Sequence, residues 1–261
     1  MPKQSVKSII KSKNRTKLTM ITAYDYLFAK LFDGEADIIL VGDSLNMSFG
    51  GQKDTLNVTL DVMLYHTNAV CKGAPGSFVV CDMPFGTYTD KKSALDNAIR
   101  VYQETPADAI KVEGGADKAD LIREITGNGI AVMGHIGLLP QFFRSEGYAI
   151  KGKDDIDATR LIADAKAVEA AGAFAIVIEG VKADVAEKIT KAVNIPTIGI
   201  GAGNGTDGQV LVWSDMLGFF EDFKPKFVRQ YLKGADAVKQ AVRQYREDIQ
   251  SGSFPSENES Y

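Results

Sequence analysis

Short runs rich in valine, isoleucine and alanine recur along the chain. Turn residues follow each run, and then a longer segment in which apolar positions return every three or four residues. A short continuous apolar run reads as a buried strand, and three-to-four spacing reads as a helix with one buried face. Eight strands are predicted, in "KLTMITAYD", "DIILVGDS", "SFVVCDMP", "DAIKVEGG", "IAVMGHIG", "FAIVIEG", "IPTIGIGAG" and "QVLVWSD". Six helices are predicted between them, in "DYLFAKLFDGEA", "TLDVMLYHTNAVCKGA", "KKSALDNAIRVYQETPA", "KADLIREITGNG", "DATRLIADAKAVEAAGA" and "KADVAEKITKAV". Asp117 and Asp157 lie near helix starts, and Gly73, Gly129 and Gly172 fall where helices should stop. The last link between strands, "GNGTDG", is too short for a full helix.

Alternating strands and helices imply a parallel α/β sheet, and eight beats suggest that it closes into a (β/α)8 TIM barrel. An open doubly wound sheet is the competing reading, because strand order is not written in the sequence; the phosphate-binding fingerprint such a sheet carries after its first strand is absent. Nothing in the composition marks a linker, so residues 1–261 are expected to form one barrel domain. It would carry an N-terminal extension and closing helices in "VRQYLKGADAVKQAVRQYREDIQ" packed outside the barrel.

The composition fits a folded soluble protein, with 45% hydrophobic and 25% charged residues. A net charge of -4 gives no reason to expect nucleic acid or an anionic membrane as partner. No apolar stretch is long enough to span a bilayer. Cys71 and Cys81 form no metal or redox spacing and read as small buried hydrophobes in a reducing, cytoplasmic setting. The opening segment lacks acidic residues, but it is rich in lysine rather than arginine and runs into a strand, so it is not read as a targeting sequence.

In a (β/α)8 barrel the chemistry gathers at the C-terminal ends of the strands. Here those tips carry Asp25, Asp43 with Ser44, Asp82, Lys111 with Glu113, His135, Glu179 and the glycines 199, 201 and 203. Asp43, Asp82 and Glu113 end consecutive strands, and three carboxylates brought together repel unless a cation lies among them. All-oxygen ligands favour a hard ion such as Mg2+ with positions open to water and substrate. The plainer alternative is that each acid caps the following helix. Lys111 and Glu113, two apart on a strand, share a face. Lys111 would then hold a carboxylate or an oxyanion beside the ion, or simply pair with Glu113.

Glu179, among apolar neighbours, is a candidate general base with raised proton affinity. His135 could bond a substrate oxygen or orient a neighbour, whereas His66, inside a helical segment, reads as structural. "IGIGAGNGTDG" has the glycines of a phosphate cradle without its GKS/T ending, and tight packing explains it equally well.

Taken in order, "MITAYD", "VGDSLNM", "TLDVMLYHTNAV", "GAPGSFVVCDMPFGTY", "KVEGG", "GHIGLLPQ", "EGYAIKGK", "VEAAGAFAIVIEGV", "IPTIGIGAGNGTDGQVLV" and "DMLG" resemble the ketopantoate hydroxymethyltransferases, over nearly the whole chain. The resemblance implies a barrel like those of the phosphoenolpyruvate/pyruvate superfamily. It also implies an enzyme that moves a one-carbon unit from 5,10-methylenetetrahydrofolate to 3-methyl-2-oxobutanoate, making ketopantoate for pantothenate and coenzyme A. By the same resemblance Asp43, Asp82 and Glu113 hold one Mg2+ per subunit, Glu113 through water. Asp43, Ser44, Asp82 and Lys111 contact the keto acid, Glu179 accepts its proton, and His135 is a secondary pocket residue. A homo-oligomer, a decamer of two stacked pentamers, is implied too.

The chain departs from the family pattern at Asn46, where glycine is usual, and at Lys182, where proline is. Two other readings compete: a Mg2+-dependent C–C lyase or phosphomutase acting on a pyruvate-like enolate, and a non-catalytic barrel that only binds.

Overall fold

The computed structural model describes residues 2–221 and 223–261, which divide into two compact units, 1–212 and 213–261. The first unit is a closed barrel of eight parallel strands in sequential order. They are β1 (Leu18–Thr22), β2 (Ile38–Val41), β3 (Phe78–Asp82), β4 (Ala109–Glu113), β5 (Val132–Gly137), β6 (Ala175–Glu179), β7 (Thr197–Ile200) and β8 (Gly208–Leu211). β1 pairs with both β2 and β8, which excludes the open sheet. β2, β3 and β4 are buried along their whole length, as strands covered on both faces must be, and this is why they read as unbroken apolar runs.

All six expected helices form. Tyr26–Phe32, Lys91–Glu104 and Asp155–Ala170 start on the aspartates Asp25, Asp90 and Asp154, whose carboxylates accept the first free backbone N–H groups. Asp157 lies in the first turn of the last of these, and Asp117 in a 3-10 turn before the helix Ala119–Gly127. Gly129 and Gly172 follow their helices with φ of 84° and 97°, the left-handed geometry of a C-terminal stop. In the second unit a helix covers Gly234–Ser251, and the "VRQY" before it is not helical.

Side chains alternate faces along a strand, so one set from each strand fills the barrel. Met20, Ile38, Leu40, Phe78, Val80, Ala109, Met133, Val177 and Ile198 belong to one buried cluster. Ile9, from the N-terminal helix Val6–Lys11, is fully buried in the same cluster. Beside that helix, Lys13 Nζ meets Asp207 Oδ2 at 2.9 Å with both side chains nearly buried. Asp207 also accepts from the backbone N–H of Asn14 and of Thr197, which ties the N-terminal segment to β7.

Candidate active site

The inward series on β3 runs Phe78, Val80, Asp82; on β4 it runs Ala109, Lys111, Glu113; on β5 Met133 precedes His135; on β6 Ala175, Val177, Glu179. Two steps beyond the apolar layer, the same face of the same strands turns charged. Register then sets the neighbours, since Asp82 lies opposite Lys111, and Glu113 opposite His135.

Lys111 Nζ lies 2.8 Å from Asp82 Oδ1, 3.7 Å from Glu113 Oε1 and 3.0 Å from His135 Nδ1. His135 Nδ1 is 3.4 Å from Glu113 Oε1, and its Nε2 is 3.3 Å from Glu179 Oε2. Asp82, Lys111, Glu113 and His135 are buried, whereas the Glu179 side chain keeps 21% of its surface open and is the exposed end of this chain of charges. Asp43 joins through its backbone N–H, which donates to Asp82 Oδ2 at 3.0 Å. Ser44 Oγ pairs with the Tyr24 hydroxyl at 2.8 Å.

Burial, and then repulsion from Asp82 and Glu113, pushes the Asp43 carboxyl well above the usual range, against the pull of Lys111 and Gln141. Asp82 is raised by burial even though Lys111 opposes it. Burial also raises Glu113, but His135 and Lys111 outweigh it and hold this group low. Lys111 keeps its proton despite burial because Asp82, Glu113 and Asp43 face it. For His135, burial and Lys111 favour the neutral ring, and Glu113 and Glu179 prevail, lifting it to about 9. Two donors do not share a 3.0 Å separation comfortably, so a proton on Nδ1 competes with the full charge of Lys111. Nε2, beside Glu179, can carry a proton in either charge state.

Gln141 and Tyr88 belong to this centre and are not picked out by strand-tip reasoning. Gln141 lies in the 3-10 turn Pro140–Phe142, beyond β5, and is buried. Its Nε2 donates to Asp43 Oδ2 at 2.9 Å and to the Met83 carbonyl at 3.0 Å, its backbone N–H donates to Glu113 Oε2 at 3.1 Å, and its Oε1 accepts from the Tyr88 hydroxyl. The turn comes close because Gly137, at φ 98°, passes β6 where a Cβ would lie 2.3 Å from the Glu179 carbonyl oxygen.

Other strand-tip residues do different work. Asp25 is a helix cap, its Oδ1 accepting from Leu27 and Phe28 N–H, so it is a correction to the expectation that every tip converges. His66 Nδ1 meets the Tyr24 carbonyl, a structural role as expected. Gly199 is pressed against Thr206 and Gln209, and Gln209 Nε2 donates to the Gly203 carbonyl, so tight packing accounts for both glycines. Cys71 and Cys81 are buried free thiols pushed up to about 12 by burial. Asn46 donates to the Asp54 carbonyl at 2.7 Å and to Asn57 Oδ1, bracing the loop beyond Asp43 and Ser44. Lys182 uses its backbone N–H on the Lys151 carbonyl at 3.1 Å.

The donor set suits a hard cation. Asp82 Oδ1 and Glu113 Oε1 are buried and accept no hydrogen bond of good geometry, and their charge is faced by Lys111 and His135 alone. Among the described residues no group of three or more His, Cys, Asp or Glu side chains forms a ready-made metal cage. Mg2+ does not need one, because it binds through one or two carboxylates and leaves its other positions to water and substrate.

A sequence model described as ketopantoate hydroxymethyltransferase matches residues 3–257. The chain is 66% identical over 260 residues to a 3-methyl-2-oxobutanoate hydroxymethyltransferase of Aliarcobacter butzleri, covering 99% of this chain and 97% of that one. In fold it is similar to a 2,3-dimethylmalate lyase of the PEP mutase/isocitrate lyase superfamily, with TM-score 0.57, 16% identity and coverage of 94% and 86%. It is also similar to a phosphonopyruvate hydrolase solved in complex with oxalate and Mg++, with TM-score 0.64, 13% identity and coverage of 98% and 93%. At these identities the two structures speak to the barrel alone. No helix of the described residues is long and apolar enough to cross a membrane.

Proposed function

The chain belongs to the ketopantoate hydroxymethyltransferase family, and from that premise we propose how its basin of charges performs the transfer. The acceptor is 3-methyl-2-oxobutanoate, the donor 5,10-methylenetetrahydrofolate and the product ketopantoate. The observation that carries this reading is the inward register of β3 to β6, which strings Asp82, Lys111, Glu113, His135 and Glu179 into one contact chain.

Lys111, buried and held protonated, takes the negative oxygens of the keto acid, and the Ser44 hydroxyl, held by Tyr24, is a further contact. Glu179, at the open end of the chain of charges, accepts the proton from C3. His135, 3.3 Å from it, holds the carboxylate in place. The carbanion left at C3 forms a bond to the methylene carbon of the donor, both carbon–nitrogen bonds of that methylene break, and water supplies the hydroxyl oxygen; tetrahydrofolate leaves with its two nitrogens reprotonated, by the proton taken from C3 and the one released from water. Asp43 and Asp82, with Glu113 through water, would hold one Mg2+, which when bound withdraws electrons from the keto acid and eases the loss of that proton. Support comes from the buried oxygens Asp82 Oδ1 and Glu113 Oε1, which accept no hydrogen bond of good geometry.

Purified protein with both substrates and Mg2+ should form ketopantoate, detected by its mass. Absence of product with either substrate omitted is the control, and absence with both present would refute the reading. The protein is further proposed to work in the cytoplasm as a homo-oligomer, a decamer; a light-scattering mass of one chain at micromolar concentration would contradict this assembly.

A further inference from the structure

Gln141, which holds Asp43, also borders a cavity of about 450 Å³, walled by Leu56, Asn57, Phe85 and Phe142 and flanked by Arg144. Phe85, on the loop after β3, is 53% exposed, and Phe142 is half-buried. A five-carbon keto acid does not need this volume, which falls within the range of sites for drug-sized ligands. The wall is largely aromatic and apolar, and it ends in a cation.

That cation is braced. Arg144 Nε lies 3.0 Å from Asp54 Oδ2, Asp54 Oδ1 accepts from the Leu56 N–H at 3.1 Å, and the Asp54 carbonyl accepts from Asn46 at 2.7 Å. The Arg144 side chain is otherwise 69% exposed, and the pairing at Nε leaves its two terminal amino groups uncommitted. A guanidinium held by one edge presents a fork that fits a carboxylate with two parallel hydrogen bonds. Asn46, the departure from the family pattern, is thus part of the frame of this rim.

We propose that this cavity seats the one-carbon donor, with its flat aromatic part against Phe85, Phe142 and Leu56 and its glutamate carboxylate on Arg144. The inference rests on the transferase reading and locates its second substrate. Charge argues for this orientation: Lys111 and the ion proposed among Asp43, Asp82 and Glu113 are taken up by the keto acid, so the cation left for the donor's own carboxylate is Arg144 at the cavity's rim. The tail must point away from the basin, toward Arg144. Gln141, which borders the cavity and holds Asp43, marks where the donor's reactive end meets the acids.

The test compares wild type with R144Q, R144K and F85A on two donors: methylenetetrahydrofolate, and a formaldehyde adduct of a tetrahydropterin that lacks the benzoylglutamate part. Donor KM is read beside the deuterium exchange of the keto acid at C3, which needs no donor. R144Q should raise KM for methylenetetrahydrofolate about tenfold or more, R144K less, and F85A several-fold, each beyond any change in the exchange rate. On the truncated donor the effect of R144Q should vanish. KM within twofold of wild type in both R144Q and F85A, with exchange intact, would overturn the proposal. Failure of wild type to exchange at all would sink the transferase reading instead. Should R144Q not fold, R144K and F85A decide the matter by the same measurements.

Discussion

Gln141 Nε2 donates to Asp43 Oδ2 at 2.9 Å, joining residues 98 positions apart in the chain. The contact fixes one oxygen of a buried carboxylate whose hold on a proton is raised by burial and its acidic neighbours, and it works against that rise. The other amide hydrogen is spent on the Met83 carbonyl and the amide oxygen on Tyr88, so the group has no freedom to turn away.

Replacing Gln141 with leucine keeps the bulk and removes all three side-chain bonds. Unpaired polar groups left behind should cost about 1–3 kcal/mol of stability by urea unfolding. If Asp43 holds Mg2+ as proposed, loss of this outer partner should lower Mg2+ affinity about 10- to 100-fold by titration calorimetry. Unchanged affinity would show that Asp43 does not need the amide to face the ion.

Glu179→Gln removes the carboxylate proposed as proton acceptor at the open end of the basin. The exchange rate at C3 should fall by about 10²- to 10⁴-fold while the keto acid still binds. An equal loss of binding and rate, by calorimetry and NMR on the same samples, would assign Glu179 to substrate holding instead.

Lys111→Met takes away the cation between Asp82 and Glu113. Leaving buried carboxylates uncompensated should destabilise the metal-free protein by about 3–5 kcal/mol. Added Mg2+ should restore more stability to this variant than to wild type, because an ion bound only by the folded state shifts the unfolding equilibrium. If Mg2+ leaves the urea midpoint of K111M where it was, these acids do not share a cation.

At the opposite end of the barrel the Asp207 carboxyl is buried, which alone would raise it, yet bonds from Lys13, Thr197 and Asn14 hold it below its ordinary value. A carboxyl depressed in the folded state contributes stability that is complete above its unfolded value near 3.8 and fades as pH falls through the lower folded value. Asp207→Asn should therefore be about 3–5 kcal/mol less stable than wild type at pH 7, with the gap closing as pH falls below about 3.8. A gap of equal size at pH 7 and pH 3 would mean that the ion pair does not carry the effect.

The barrel was legible because its strands, covered on both faces, appear as apolar runs, and its helices keep one apolar stripe. Asp82, Lys111, Glu113, His135 and Glu179 were legible for the same reason, since period two along a strand extends from core to tip. Asp25 shows the limit: an aspartate after a strand looks the same whether it caps a helix or faces the pocket, and only its bonds to Leu27 and Phe28 distinguish the two. Gln141, Tyr88 and Tyr24 were not legible as site residues. No period places a loop, and an amide in the turn that follows β5 reaches Asp43 only because Gly137 lets the chain bend against β6.

The most direct test follows the C3 proton of 3-methyl-2-oxobutanoate by NMR in deuterated buffer, with and without Mg2+, before methylenetetrahydrofolate is added. Exchange that depends on Mg2+, followed by ketopantoate on addition of the donor, is the predicted result. A C3 proton that stays in place under every condition would contradict the assignment of this basin to proton abstraction.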